Sequence, residues 1–244
     1  MLSFSVIIPT RNRPQFLRGA VESALAQSHP PLEVLVVDDG KGAASTLHGL
    51  SSVKILDNTE RGPVPARILG VERAQGDVIA FLDDDDWWTD RSWLAKAAVR
   101  FAEGAEFCFG DGTLVFDDGR PALPFAYDAN AETLARDNTI LISAVCYRRM
   151  LHEILGAFDA TLPYYWDWDW YLRVVRSDAS FVHLSEPVVA IRVHAQNMSG
   201  AEQEQMRREN LERLAEKHWL PPIPLKNHLD IAEAGTADQK PSKL

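Results

Sequence analysis

The chain of 244 residues contains few cysteines, no long apolar run and no excess of basic residues. Its two cysteines, Cys108 and Cys146, form neither a CxxC pair nor a disulfide framework, which favours core thiols in a reducing compartment. No stretch approaches the roughly 18 apolar residues of a membrane-spanning helix, so we expect no transmembrane segment. The start of the chain lacks the basic region and cleavage site of a signal peptide. We therefore expect a cytoplasmic protein.

Acidic residues outnumber basic ones, with 35 Asp and Glu against 25 Lys and Arg and a net charge of −10. Nucleic acids and anionic membranes are bound by basic surfaces, so this balance argues against either as the main partner. The apolar content of 46% and the charged content of 25% are ordinary for a globular protein. An anionic small ligand would need local positive charge or a metal ion.

Glycine-rich phosphate loops are also missing, although the first half of the chain alternates strands and helices as a nucleotide-binding α/β sheet does. No GxGxxG follows the first predicted strand and no GxxxxGK[ST] occurs, so a nucleotide would have to be held in another way. The apolar pattern predicts strands at residues 4–9, 32–37, 53–56 and 78–82, and helices at residues 14–25 and 63–73.

Four consecutive aspartates, Asp83 to Asp86, follow the predicted strand at residues 78–82. An apolar strand of this kind belongs to a parallel sheet, and ligands bind beyond the carboxyl ends of such strands. Clustered carboxylates repel one another unless a cation is present, and oxygen ligands suit Mg²⁺ or Mn²⁺. The alternative is a solvated acidic turn that caps the next helix. Because Thr10 and Asp39 end two other predicted strands, we expect all three strand ends to meet in one cleft.

The second half of the chain predicts a mixed sheet. Asp117, Asp118 and Gly119 form a hairpin-turn signal after a predicted strand at residues 113–116. The other predicted elements are strands at residues 107–109 and 188–193, an extended segment at 139–148, a turn at 155–159, and helices at 91–103 and 202–217. The tail from residue 221 is rich in Pro, Lys and Asp, so we expect it to be mobile or loosely packed.

Tryptophan and aspartate alternate at residues 166–170, in the most unusual stretch of the chain. A second aromatic cluster, Trp87, Trp88 and Trp93, also lies beside carboxylates. Aromatic faces can pack against sugar C–H groups while carboxylates accept hydrogen bonds from hydroxyls, so the pattern favours a binding surface. Ordinary core tryptophans are the alternative.

Six ordered motifs support a family resemblance from about residue 4 to residue 199. They are VIIPTRNR at residues 6–13, VVDDG at 36–40, AR at 66–67, FLDDDD at 81–86, WDWDWYLR at 166–173 and RVH at 192–194. With these motifs in this order, the chain resembles a family 2 glycosyltransferase. The resemblance implies an α/β protein of GT-A fold, in which a Rossmann-like nucleotide-binding sheet is followed by a mixed C-terminal half that binds the acceptor.

The resemblance also implies a donor site for a nucleotide-diphosphate sugar, with a UDP-sugar as the first candidate. Thr10 and Asp39 would line the nucleoside pocket, with Asp39 accepting a hydrogen bond from the base. Arg67 would hold the base or the diphosphate, and Asp83 and Asp84 would contact the ribose or metal-bound water. Three further residues of the first motif are assigned to the same site: Pro9, Arg11 and Arg13.

The remaining implied roles concern metal, catalysis and acceptor. Asp85 and His194 would bind Mn²⁺ or Mg²⁺, and Asp167 would be the catalytic base of an inverting transfer to a hydroxyl acceptor such as a saccharide or glycoconjugate. The residues assigned to the acceptor are Trp166, Trp168 and Asp169. We expect one domain over residues 1–220, with a donor half at 1–110, an acceptor half at 111–200, a terminal helix at 201–220 and a tail at 221–244.

Two positions depart from the family pattern. Trp166 stands where the family usually has the Glu that precedes the catalytic Asp, which changes the charge and hydrogen bonding around Asp167. Gly156 and Ala157 replace a Gly-Gly pair, which adds a methyl group where the loop approaches the donor sugar. Neither change removes a group that the chemistry needs.

Other interpretations of the same residues remain open. The fold also suits a nucleotidyltransferase, although residues 10–13 lack its glycines, and a binding module without catalysis would not need Asp85 and Asp167. Asp167 could only cap a helix, and Asp169 could serve a structural bond to Arg173 at i+4. The structural alternatives elsewhere are a satisfied His194, a surface pair of Arg67 with Glu72, and Thr10 as a turn residue.

Overall fold

The computed structural model describes residues 2–50, 52–194 and 203–238. Residues 195–202, which include the predicted helix start at residue 202, lie outside this range. The strands are β1 Phe4–Thr10, β2 Glu33–Asp38, β3 Val53–Asp57, β4 Val78–Phe81, β5 Trp87–Trp88, β6 Phe107–Phe116, β7 Leu123–Phe125, β8 Val145–Arg148 and β9 Phe181–Val193. The helices are α1 Pro14–Leu25, α2 Ala43–Thr46, α3 Pro63–Arg73, α4 Trp93–Ala102, α5 Ala131–Leu134, α6 Leu151–Leu155, α7 Trp166–Val175, α8 Glu204–Lys217 and α9 His228–Asp238.

The strands form one mixed sheet in the order β3-β2-β1-β4-β8-β6-β9-β5, with β7 paired to β6. The first four strands of this order are parallel, while β8 runs antiparallel to both β4 and β6. Parallel β1, β2 and β4 therefore point their carboxyl ends to the same edge, as the sequence predicts. The mixed second half is confirmed by the antiparallel pairs and by the hairpin of β6 with β7.

Strands β1, β2 and β4 are buried along their whole length, because helices cover both faces of the sheet. On one face α1 packs Leu17, Val21 and Ala24 into the core, and on the other face α3 packs against Ile7. Gly70 permits this second approach, because a Cβ atom at that position would lie only 2.5 Å from Cγ2 of Ile7. The close approach fixes α3, which carries Arg67, against β1.

Two predicted strands prove to be one. The segments at 107–109 and 113–116 form the continuous β6, and its register with β9 shifts between Gly110 and Gly112. A bulge of this kind lets a strand continue through glycines that read as a break in the sequence. Strand β9 also begins at Phe181 rather than at residue 188, because its polar positions hide the strand pattern. The predicted extended segment at 139–148 contains a short 3₁₀ turn, Ile142–Ala144, before β8.

The tail differs from the sequence-based expectation of loose packing. Residues His228–Asp238 form helix α9, and Ala232 is fully buried in the main core. The hydroxyl of Tyr127 donates a hydrogen bond to the carbonyl oxygen of Ile231 at 2.9 Å. Leu229 and Ile231 pack beside it, so a few apolar positions in a polar segment attach the tail to β7. Within the described residues, no helix has the length and apolarity to cross a membrane.

Candidate active site

The carboxyl ends of β1, β2 and β4 open into a cavity of about 940 Å³ that also reaches α7 and the C-terminal segment. Thr10 is the last residue of β1, Asp39 follows β2 and the aspartates at 83–86 come just after β4, so the predicted convergence of strand ends is observed. Thirteen of the predicted site residues line this cleft: Pro9, Thr10, Arg11, Arg13, Asp39, Arg67, Asp83, Asp84, Asp85, Trp166, Asp167, Trp168 and His194. Asp169 is not among them.

An acidic cluster occupies one end of the cleft. Asp83, Asp85 and Asp86 each present a carboxylate oxygen, and these oxygens lie within 4.8 Å of one another. The Nε2 atom of His194 lies 3.0 Å from Oδ2 of Asp85. Carboxylate oxygens suit Mn²⁺ or Mg²⁺, so the three aspartates are compatible with such a cation, and His194 lies close enough to be a further ligand. Asp86 is an additional candidate ligand, and its place in the run of four aspartates is the signal that could have identified it.

Arginine side chains neutralise part of this charge. Nη1 of Arg13 lies 2.6 Å from Oδ2 of Asp85 and 3.3 Å from Oδ1 of Asp84. The guanidinium of Arg67 is paired with Asp83. The acidic end therefore contains two fixed cations within a chain of strongly negative net charge.

Two carboxyls of the cluster are buried and have raised pKa values. Burial raises the pKa of Asp84 to about 6, although the Thr10 hydroxyl donates to its Oδ2 at 2.6 Å. Burial and the neighbouring charges of Asp85 and Asp83 raise the pKa of Asp86 well above its usual value. Asp86 accepts hydrogen bonds from Oγ of Ser143 at 2.6 Å and from the backbone N–H of Arg192 at 3.0 Å. These bonds fix the end of the cluster between β9 and the 3₁₀ turn.

Asp39 combines a loop contact with a position in the cleft. Its Oδ1 accepts hydrogen bonds from Nδ2 of Asn58 at 2.7 Å and from the backbone N–H of Gly62 at 2.8 Å. Its Oδ2 lies 3.8 Å from Nε of Arg11. The residue therefore anchors the loop before α3 and also lines the cleft.

Arg67 lies between the two ends of the cleft. It is buried, its Nη1 donates to the carbonyl oxygen of Pro63 at 3.0 Å, and its Cζ lies 4.7 Å from the centre of the Trp166 ring. Its Nε–H is buried and has no hydrogen-bond partner among the described residues. These contacts leave no support for a surface pair with Glu72.

Asp167 belongs to the first turn of α7 and is 9% exposed. Burial raises its pKa to about 6, while a hydrogen bond from Asn138 and the charge of Arg67 act in the opposite direction. Nδ2 of Asn138 donates to Oδ2 of Asp167 at 3.0 Å. A carboxylate with such a pKa is mostly ionised at neutral pH and is a stronger base than an exposed aspartate.

The structure places Asp169 on the opposite side of α7, away from the cleft. It is fully buried, and its partners are Arg173, Lys217 and His218. Although burial opposes ionisation, hydrogen bonds from His218 and Lys217 and the charge of Arg173 lower the pKa of Asp169 below its usual value. Asp167 and Asp169 are two residues apart on one helix, and their side chains therefore cannot share a face.

Sequence reasoning missed the residues that enclose the far end of the cleft. Asn138, Arg207 and the segment at residues 226–229 line it. Nζ of Lys226 lies 2.7 Å from Oδ1 of Asp137, and Nη2 of Arg207 donates to the carbonyl oxygen of Lys226 at 2.9 Å. The polar composition of the tail gives no sign of this role.

Comparisons with known proteins agree with this architecture. The family model described as Glycosyl transferase family 2 matches residues 5–153. The uncharacterized glycosyltransferase YwdF of Bacillus subtilis (strain 168) is 31% identical over 256 residues, which cover 99% of this chain and 94% of YwdF. TuaG of the same organism, named for teichuronic acid biosynthesis, is 31% identical over 146 residues, or 56% of this chain and 58% of TuaG.

Solved structures support the fold. The structure of S. aureus TarS residues 1–349 in complex with UDP-GlcNAc matches with a TM-score of 0.69 at 20% identity, covering 88% of this chain and 66% of that chain. The corresponding complex with UDP matches with a TM-score of 0.62. The family model, the full-length relative and the sheet together show that the chain belongs to glycosyltransferase family 2 and adopts the GT-A fold.

Proposed function

We propose that this glycosyltransferase transfers a sugar from a nucleotide-diphosphate donor to a hydroxyl acceptor, with inversion at C1 and with a divalent cation. The observation that carries the proposal is that one cleft is lined both by the acidic cluster and by the buried carboxylate of Asp167. A donor bound at the cluster would thus lie beside a base. A module that only binds carbohydrate would not need that pairing.

The acidic end is the proposed donor site. Asp39 and Arg11 would contact the nucleoside, Thr10 and Pro9 would line its pocket, and Arg13 and Arg67 would provide positive charge for the diphosphate. Asp83 and Asp84 would contact the ribose or metal-bound water. A UDP-sugar is the first candidate, because TarS, which shares the fold, has been solved with UDP and with UDP-GlcNAc.

The same end is the proposed metal site. Asp85 and His194 would hold Mn²⁺ or Mg²⁺, with Asp83 and Asp86 as further candidate ligands. When bound, such a cation neutralises the charge that develops on the departing diphosphate, which is typically worth several kcal/mol. Arg13 contacts two carboxylates of the same cluster, Asp84 and Asp85.

Asp167 is the proposed general base. As the acceptor oxygen forms its bond to C1, the bond between C1 and the diphosphate oxygen breaks and the electron pair leaves with the nucleotide. The acceptor proton passes to the carboxylate of Asp167. A single displacement from the face opposite the leaving group inverts the configuration at C1.

The far end of the cleft is the proposed acceptor site. Trp166 and Trp168 line it together with Asn138, Arg207 and Lys226. Because Arg67 covers the face of Trp166, it is the Trp168 ring and these polar groups that favour a saccharide or glycoconjugate acceptor. The name of TuaG supports a polysaccharide. We place the donor half at residues 1–110 and the acceptor half at 111–200, and we assign the tail to the acceptor half.

Calorimetric titration of UDP tests the donor and metal assignments together. We expect binding in Mn²⁺ and at least tenfold weaker binding in EDTA, because the dianionic diphosphate would otherwise face the acidic cluster. Asp85→Ala should remove the difference, whereas the control Asp118→Ala, in the β6–β7 hairpin, should keep it. Equal affinity of the wild type in Mn²⁺ and EDTA would refute the metal site. UDP release from UDP-sugars, with and without saccharide acceptors, then separates transfer from binding alone.

A further inference from the structure

The contact of Trp166 with Arg67 has no role in the function proposed above. Trp166 lines the cleft, but it is only 6% exposed. The face of its indole is covered by the Arg67 guanidinium, with Cζ 4.7 Å from the ring centre. That face is therefore not available for stacking on a sugar.

The indole is itself held by rings on the other sides. Its centroid lies 4.8 Å from that of Phe158, at 70° between the planes, and 6.1 Å from that of Phe81, at 72°. Edge-to-face contacts of this type restrict the ring orientation. Trp166 is thus a fixed, uncharged surface at the start of α7, beneath a buried cation.

Arg67 has two carboxylates within its electrostatic reach. Its guanidinium pairs with Asp83 of the acidic cluster, and its charge also acts on Asp167. A carboxylate at position 166 would compete with Asp83 for this cation, because a charged hydrogen bond is stronger than a contact with a ring. An aromatic ring stabilises the guanidinium without withdrawing it from Asp83.

We propose that Trp166 is a positioning residue that holds Arg67 against Asp83, so that the donor end keeps a fixed carboxylate and a compensating cation. The inference rests on the proposed donor site. If Arg67 moved away, Asp83 would add an unpaired negative charge beside Asp84, Asp85 and Asp86. A bound nucleoside diphosphate would meet that charge directly, and its affinity would fall.

The second Arg–Trp pair of α7 provides a matched control. Cζ of Arg173 lies 4.8 Å from the centre of the Trp170 ring, and Trp170 is fully buried on the same helix. Neither residue lines the cleft. Replacing Trp170 therefore has a similar packing cost without touching Arg67.

The test is a double-mutant cycle on UDP affinity in Mn²⁺, measured by calorimetry. Trp166→Leu and Arg67→Gln should each weaken binding about tenfold, and the double variant should bind no more weakly than Arg67→Gln alone. Trp166→Phe should stay within about threefold of the wild type, because the ring face is kept. Trp166→Glu should weaken binding at least as much as Trp166→Leu, and Trp170→Leu should leave affinity unchanged.

Two results would overturn the inference: wild-type UDP affinity in Trp166→Leu, or fully additive losses in the double variant. If the wild type bound no nucleoside diphosphate, the proposed donor would fail instead. In that case the same double-mutant cycle can be measured on the free energy of unfolding in denaturant, which tests the Trp166–Arg67 contact without a ligand. The coupling free energy between Trp166 and Arg67 should equal that between Trp170 and Arg173. Additive unfolding effects would refute the positioning role.

Discussion

The two ends of the cleft achieve their chemistry by different physical means. The acidic end concentrates four aspartates and compensates them with Arg13 and Arg67. The other end has one cleft-lining carboxylate of α7, Asp167, with Asn138 as its direct hydrogen-bond partner. Clustered charges and their arginine partners therefore distinguish the first end from the second, although both ends contain buried carboxyls.

Asp84 and Asp167 show what the two ends share and where they differ. Burial raises the pKa of each to about 6. A cation bound beside Asp84 would return that carboxyl to its ionised form, because opposite charge lowers a carboxyl pKa. Asp167 lies outside the acidic cluster, so its raised pKa is the one we expect to govern turnover.

The largest expected effect separates the two ends. Asp167→Asn should lower transfer by about 10²- to 10⁴-fold, because the amide keeps the size of the side chain but cannot take the acceptor proton. UDP affinity in Mn²⁺ should remain within a few-fold of the wild type. Both quantities can be measured on one preparation, by UDP release at saturating donor and by calorimetry.

The control for this prediction is Asp169→Asn. That substitution disturbs a buried cluster with Arg173 and His218, so it should reduce stability while the surviving folded enzyme keeps its turnover. Loss of UDP binding in Asp167→Asn would move that residue into the donor site. Near-normal transfer, with loss in Asp169→Asn, would give the catalytic role to Asp169.

The next effect belongs to the acidic end. Asp39→Ala should weaken UDP binding roughly ten- to a hundredfold, since a hydrogen bond to a charged group contributes about 1.5–3 kcal/mol. Mn²⁺ binding without nucleotide should not change, because Asp39 follows β2 whereas the cluster follows β4. Asn58→Ala serves as the control, since it removes the Asn58 amide bonds to Asp39 and Gly62 but keeps the Asp39 carboxylate. Loss of Mn²⁺ binding in Asp39→Ala would show that the pocket is assigned wrongly.

These two ends also differ in how far the sequence predicts them. Thr10, Asp39 and Asp83 follow apolar strands directly, and the carboxyl ends of parallel strands must meet, so local pattern is enough to bring them together. Asn138 and Lys226 come from irregular segments, and only tertiary packing brings Asn138 to Asp167 and Lys226 to Asp137. Such contacts, like the hydrogen bond from Arg207 to the carbonyl oxygen of Lys226, are not encoded by any periodicity.

The same distinction explains the errors in the fold. Strand β6 continues through Gly110 and Gly112 because both glycines lie under neighbouring side chains: a Cβ atom at Gly112 would approach Cδ1 of Leu141 to 2.4 Å. A sequence reading sees only a turn-forming residue there. Helix α9 is similar, because its few apolar positions become informative only when β7 is present to receive them.

A pH profile sharpens the comparison of Asp84 with Asp167. Transfer at saturating donor and Mn²⁺ should be constant above pH 7 and fall by roughly tenfold at pH 5, because the base must be ionised and its pKa is about 6. Activity is therefore present above the pKa and lost as pH falls through it. Calorimetry should show a weaker pH dependence for UDP binding. A profile that follows UDP affinity instead would assign the ionisation to Asp84.

The smallest expected effect concerns the tail. Lys226 is partly exposed and forms an ion pair with Asp137, and such pairs contribute about 0.2–1 kcal/mol. Lys226→Ala should therefore raise the KM for a saccharide acceptor by no more than about fivefold and leave UDP affinity unchanged. The control Lys54→Ala removes an ion pair with Glu33 outside the cleft and should change neither quantity. A loss of UDP affinity in Lys226→Ala would instead place the tail at the donor end, and the division of the cleft into two ends would have to be redrawn.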